Sequence, residues 1–202
     1  MPASTSEWDA KHRAAATAPR GEPAGFVLEL LPLLPVGPAL DLACGTGRHS
    51  LLLASRQQAV TAVDFSTVAL EILTQRADNL NCAVTHIKRP AQIGNRWYGI
   101  QLWQADLEEV SLPSETFSLV ICVNYLQRSL FSQIERTMVP GGMLLFETHT
   151  VAQLDFAGGP RNPNYLLELG ELRTAFPSLR HLFYRELRAR KGIASLIAQK
   201  AD

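Results

Sequence analysis

ALDLACGTGRHS, residues 39–50, compresses a strand, a glycine turn and the start of a helix into one short segment. Ala39, Leu40 and Leu42 form an apolar run interrupted only by Asp41, and such a run bounded by turn residues reads as a buried strand. Gly45 and Gly47 supply the backbone freedom that a tight reversal needs. RHSLLLASRQ then reads as a helix. Strand, glycine turn and helix make the opening unit of a doubly wound sheet, where ligands collect beyond the carboxyl ends of the strands. The segment therefore predicts both the architecture and the edge that carries function.

Outward from it, AVTAVDF reads as a second strand and STVALEILTQRA as a helix. Ser66 is its N-cap, with Ala69, Ile72, Leu73 and Ala77 at core-facing spacing. YGIQLWQAD, FSLVICVN and GGMLLFETH are further strands, and SLFSQIERTM is a helix carrying Leu130, Ile134 and Met138 on one face. A short helix, LGELRTAF, leads into two final strands, RHLFYRELR and IASLIAQK, joined through Lys191 and Gly192. A parallel crossover needs about a dozen residues, so that last pair is antiparallel. The expected fold is α/β: a single Rossmann-like doubly wound domain of about seven strands, mostly parallel, with one antiparallel strand at the C-terminus. Residues 1–21 read as a flexible N-terminal arm with about one helical turn, its bulky groups being Trp8 and His12. The domain proper spans residues 22–202, its first helix opening at Pro23. Asn81–Trp97 carries Lys88, Arg89, Pro90, Gly94, Asn95 and Arg96 without periodicity and reads as an inserted loop.

Composition narrows the function classes. With 202 residues and 47% apolar content, the chain suffices for one well-buried domain. Nineteen basic side chains balance nineteen acidic ones, so the footprint of a general nucleic-acid binder is missing. The most apolar stretch, FVLELLPLLPVGPAL, is broken by Glu29, Pro32, Pro35 and Pro38, whereas a membrane span needs roughly 20 uninterrupted apolar residues. MPASTSEWDA lacks the order of a secretion signal. Cys44, Cys82 and Cys122 are odd in number and dispersed, which argues against a disulfide framework or a zinc site. The expected setting is cytoplasmic and reduced, with a small-molecule substrate and no metal.

Glycine turns at helix starts usually cradle phosphate, and GTGRHS nearly satisfies the dinucleotide pattern, with Ser50 in the last place. Asp64 closes the second strand nineteen residues after Gly45, the spacing of an acid that grips a ribose. Asp41 separates the options. A carboxylate beside a pyrophosphate costs several kcal/mol in low dielectric, whereas beside an ammonium and a sulfonium it is favourable. Asp106, closing the third strand, adds another acid suited to an adenine amine. Asp41 also reads as an acid that only caps its turn, and Asp106 as the N-cap of the next one.

ALDLACGTGRHSLLLA, VTAVDFS, QADLEE, FSLVICVNYL and VPGGMLLFETHT, in this order, resemble the successive motifs of class I S-adenosylmethionine-dependent methyltransferases. NYLQRSLF, LLFETHT and NPNYLLELGELRTAFPSLR further resemble the tellurite-resistance methyltransferase-like proteins of bacteria. One departure is Ala43, in place of the first glycine of the turn. The resemblance implies S-adenosylmethionine as cofactor, held by Asp41, Ala43, Cys44, Gly45, Gly47, Asp64, Phe65, Asp106, Leu107 and Asn124. It also implies a small acceptor, anionic or a chalcogen compound, methylated by in-line displacement.

On the acceptor side, Tyr125 reads equally as a pocket wall or as a helix anchor. Arg128 suits an anion through a bidentate contact, or else pairs with a surface carboxylate. His149, ending the fifth strand, is a candidate base or anion contact, or a structural histidine. Arg128 and His149 are thus the catalytic candidates, with Tyr125 beside them at the substrate. Arg161, Asn162 and Asn164 fall in a loop able to close over a substrate, while Trp8 and His12 read as part of a disordered arm rather than of an N-terminal lid. Two rival readings stand beside this one: an NAD-dependent oxidoreductase, and a domain that binds S-adenosylmethionine without turnover.

Overall fold

The computed structural model describes residues 5–16, 21–88 and 98–202. Eight strands form one sheet: β1 (Ala39–Leu42), β2 (Ala59–Asp64), β3 (Val84–Ile87), β4 (Gly99–Gln104), β5 (Phe117–Val123), β6 (Met138–His149), β7 (Leu179–Ala189) and β8 (Lys191–Lys200). Their order is β3-β4-β2-β1-β5-β6-β8-β7. All neighbours from β3 to β6 pair parallel, and β8 runs against both β6 and β7. The single reversed strand is thus as expected; the count is eight rather than seven. The additional strand, β3, lies within Asn81–Trp97, where an inserted loop was expected. It is short, at the sheet edge, and only Ile87 is buried, so it lacks the apolar run that marks an interior strand. The remainder of that segment, residues 89–97, lies outside the described residues.

β1 is buried at every position, as the central strand of a covered sheet must be. On one face lie α2 (Gly25–Leu30), α3 (Arg48–Ser55) and α4 (Thr67–Asp78). They pack Phe26, Leu53, Leu70 and Leu73 onto Ala39, Val60, Ile121 and Leu145. The other face carries α5 (Phe131–Thr137) and the segment before β7, with Ile134, Leu172 and Phe176 packed onto Leu40, Val120 and Phe146. Phe131, Phe146 and Phe176 meet at ring-centroid distances of 4.9–5.9 Å, within the favourable range for aromatic pairs.

Local expectations were met unevenly. Ser66 caps α4, its hydroxyl accepting the Ala69 N–H at 3.1 Å. The first domain helix opens at Gly25 rather than Pro23 and tightens into a 3₁₀ turn over Leu31–Leu33. LGELRTAF yields only a 3₁₀ turn, Glu171–Arg173, entered through Gly170 in the left-handed conformation. In the N-terminal arm, Thr5–Ala16 forms the twelve-residue helix α1, longer than the expected single turn and packed on α4. Residues 1–4 and 17–20 of that arm lie outside the described residues. No helix among the described residues is long and apolar enough to cross a membrane.

Candidate active site at the carboxyl edge of the sheet

β1 pairs with β2 on one side and β5 on the other, and the strand order reverses between β1 and β5. The crevice beyond Leu42 and Val123 is therefore the switch point of the sheet. The turn that leaves β1 is held by two backbone bonds, Cys44 N–H to Val63 O and Gly47 N–H to Cys44 O, each 3.0 Å. Ala43 has φ 51 and Gly45 φ 53, so Ala43 accepts a conformation that its lost glycine would adopt without cost. Gly47 has φ 81, and a Cβ there would sit 2.1 Å from Leu73 Cδ1 on α4. Gly45 is open by contrast: the nearest atom to a Cβ built on it is His12 Cε1, at 3.6 Å. The turn is thus packed from below and approachable from above.

Three acids line this edge at different depths. Asp64 Oδ2 accepts the Gly45 N–H at 2.8 Å and Oδ1 accepts the Ser66 N–H at 2.9 Å, so its carboxylate is fixed beside the turn. Burial raises its pKa, and the two amide bonds and His12 oppose that rise. Asp106 is exposed, and its Oδ1 accepts the Glu108 N–H at 2.9 Å, capping the next turn while Leu107 is buried beneath. Phe65 is half-buried, with its carbonyl bonded by Gln104 Nε2. Asp41 is not at the mouth. It is 1% exposed beneath the turn, accepting the Ser50 hydroxyl at 2.6 Å, and burial pushes its pKa up to about 6 against the pull of Ser50 and Arg48. The Ser50 that ends GTGRHS is thus a partner for this acid.

α1 reaches this edge too. Asp9 accepts the Ser66 hydroxyl at 2.5 Å, and the Trp8 ring stacks on His12 at 5.9 Å. The helix thus lies over the Gly45–Asp64 corner, with Asp9 on Ser66 and His12 beside Gly45.

Beyond β5, Asn124 is exposed with φ 61, its N–H bonded to Glu147 O at 2.8 Å. Tyr125 is half-buried; burial raises its phenol pKa, and Cys122, Glu108, Asp106 and Asp64 add to the rise. Asp64, Asp106 and Glu108 thus all act on the Tyr125 ring. A cavity of about 340 Å³ opens here, lined by Glu108, Leu126, Gln127, Arg128, Ser129, Asn164 and Tyr165.

Arg128 lines the cavity, but its guanidinium is engaged: Nε and Nη2 donate to the two carboxylate oxygens of Glu171 at 2.6 and 2.7 Å, and Nη2 also to Leu166 O at 3.0 Å. Of its two sequence readings, this arrangement is the surface ion pair. His149 Nδ1 lies 3.1 Å from Gln153 Oε1, which also accepts the Gly192 N–H at 3.0 Å. Burial lowers the His149 pKa and so favours the neutral ring, and the shared Gln153 contact ties β6 to the following loop and β8. Arg161 donates to the Leu154 and Phe156 carbonyls, and Asn162 accepts the Asn164 N–H, so that loop is internally bonded.

The sequence reading missed several residues. Glu147, 4% exposed on β6, accepts the Ser195 hydroxyl at 2.7 Å and faces Arg185 at 4.0 Å. An acid inside LLFETH was a readable signal. Glu171 was not readable, lying 43 residues from Arg128. Cys44 and Cys122 are buried, which raises both thiol pKa values and leaves them unsuited as nucleophiles. Among the described residues, no cluster of His, Cys, Asp and Glu could hold a metal.

Known proteins agree with this geometry. A family described as a methyltransferase domain matches residues 39–142, just over half of the chain. Malonyl-[acyl-carrier protein] O-methyltransferase of Serratia marcescens is 28% identical over 161 residues, covering 74% of this chain and 55% of that protein. The uncharacterized methyltransferase YodH of Bacillus subtilis is 30% identical over 115 residues, covering 55% and 42%. The chain thus spans about half the length of these curated relatives. The crystal structure of TehB from Haemophilus influenzae superposes with a TM-score of 0.70 at 18% identity, covering 88% of this chain and 62% of that one, a likeness of fold.

Proposed function

The chain belongs to the methyltransferase domain family, and from that premise we propose that it transfers a methyl group from S-adenosylmethionine to a small-molecule acceptor by in-line displacement. When bound, that cofactor supplies a methyl carbon on a sulfonium, a leaving group already activated for transfer. The observation that carries the reading is the set of acids Asp41, Asp64 and Asp106, on three adjacent strands or just past them, around a glycine turn open at Gly45. These carboxylates fit a cationic nucleoside and would repel a pyrophosphate.

In this reading Asp64, fixed by two amides, accepts the ribose hydroxyls, while Asp106 takes the adenine amine between Phe65 and Leu107. Ala43, Cys44, Gly45 and Gly47 let the backbone lie against the amino-acid end. Asp41 contributes its charge from beneath the turn. Asn124 and Tyr125 flank the point where the acceptor meets the methyl. The chain's work is to align and to exclude water, as proximity can supply most of such a rate enhancement. The acceptor is small: about 340 Å³ lies at the low end of ligand pockets. An anionic or chalcogen acceptor, the expectation drawn from the tellurite-resistance resemblance, would have to displace Glu171 from Arg128 first.

Calorimetry tests the cofactor directly. S-adenosylmethionine and S-adenosylhomocysteine should bind, and NAD should not. The opposite pattern would end the proposal in favour of an oxidoreductase. Binding without methyl transfer to any small acceptor would favour the non-catalytic reading.

A further inference from the structure

We propose that the acceptor is an amine, taken up in its neutral form with Glu108 placed to receive the positive charge that arrives with the methyl group. The inference rests on the methyltransferase reading above and concerns the charge of the cavity beyond β5.

That cavity has two ionic groups in its wall, Glu108 and Arg128. Arg128 is neutralised: both oxygens of Glu171 take its Nε and Nη2, and the Leu166 carbonyl shares Nη2. Glu171 is itself held in place, because its Oε2 also accepts the Glu168 N–H at 2.8 Å. Were an anion to displace it, Glu168, whose charge already acts on Arg128, would remain close by. Glu108 has no comparable partner. Its backbone N–H bonds to Asp106, and none of the described basic side chains pairs with its carboxylate. Among the described residues the cavity therefore carries net negative charge, with Asp106 and Asp64 adding their field through the Tyr125 side.

The reaction moves charge, and the cavity fits one direction of that movement. An alkylamine in water is mostly its ammonium form, which first gives a proton to water; the freed nitrogen lone pair then forms the new N–C bond as the C–S bond breaks and its electron pair returns to sulfur. A full positive charge then appears on nitrogen, and the proton leaves afterwards to Glu108 or to water. A carboxylate in the cavity wall beside that nitrogen stabilises the transition state more than the ground state, which is what accelerates a chemical step. An oxyanion or thiolate instead arrives negative and becomes neutral. It needs a free cation on entry, and Arg128 is already engaged. An alcohol needs a base strong enough to ionise it, and a carboxylate is too weak for that.

The experiment uses the full chain, matched probes and two variants. Benzylamine and butylamine are compared with benzoate, butyrate and phenylmethanethiol, by ligand-observed NMR on the chain loaded with S-adenosylhomocysteine and by mass detection of methylated product with S-adenosylmethionine. An amine should bind and be methylated, and the carboxylates and thiol should not. Glu108→Gln should slow amine methylation by about tenfold, with S-adenosylhomocysteine affinity unchanged. Glu171→Gln should free Arg128 and create benzoate binding that the wild type lacks. The proposal is overturned if a carboxylate or the thiol is preferred, if neither amine is methylated, or if Glu108→Gln leaves the rate of amine methylation intact. Loss of S-adenosylhomocysteine binding in the wild type would strike the methyltransferase reading instead, and it is read separately by calorimetry.

Discussion

Asp41→Asn should gain stability relative to wild type as pH rises towards neutral, and should bind the cofactor more weakly. Asp41 is 1% exposed, and its pKa is pushed from 3.8 up to about 6 by burial. At pH below 3.8 the folded and unfolded chains both carry this proton, and no penalty exists. Between 3.8 and about 6 the unfolded chain has released it while the folded chain retains it, so wild-type stability falls as pH rises. Above about 6 the penalty is complete. A shift of about two units corresponds to about 3 kcal/mol. Asparagine cannot ionise, so its stability relative to wild type should rise by about 3 kcal/mol between about pH 3 and about pH 8. How well its amide fits beside Ser50 adds only a constant offset. Urea denaturation of both proteins across that range reads the difference directly, since every other titration is common to the two. A flat difference would refute the burial argument. Calorimetry at pH 8 supplies the functional half: the ionised Asp41 is the form that favours a cationic ligand, and affinity unchanged by Asp41→Asn would remove this acid from the site.

Asp64→Ala deletes charge-assisted bonds and should weaken S-adenosylhomocysteine binding by about 1–3 kcal/mol; an undiminished calorimetric affinity would rule out its ribose role. Gly192→Ala would bring a Cβ to 2.3 Å from the Gln153 nitrogen and 2.4 Å from the Ala152 carbonyl carbon, both backbone atoms. It should cost about 2 kcal/mol or more in denaturant unfolding, and an unshifted midpoint would show that this loop gives way freely. Of the three free cysteines, Cys82 is half-buried and Cys44 and Cys122 are buried. Mass spectrometry after brief thiol labelling should show Cys82 modified first in the native protein and all three in denaturant; early labelling of Cys44 would contradict its enclosure beneath the turn.

The sequence by itself determined the sheet's parallel body and its reversed last strand, because buried apolar runs and the length of a connection are local properties. It also paired the glycine turn with Asp64 at one edge, since a turn and an acid nineteen residues on are a spacing along one chain. Tertiary structure decided what such spacing does not encode. β3 is an edge strand whose pairing with β4, rather than its own composition, makes it a strand. Asp41 turned out to lie under the turn and not at its mouth, because Ser50 on α3 draws its carboxylate inward. The partner of Arg128 is Glu171, which only folding brings within 2.6 Å. Local backbone preference and apolar patterning travel with the residues themselves. The charge of a pocket depends on which distant side chains neutralise each other, and that is fixed only when the chain closes on itself.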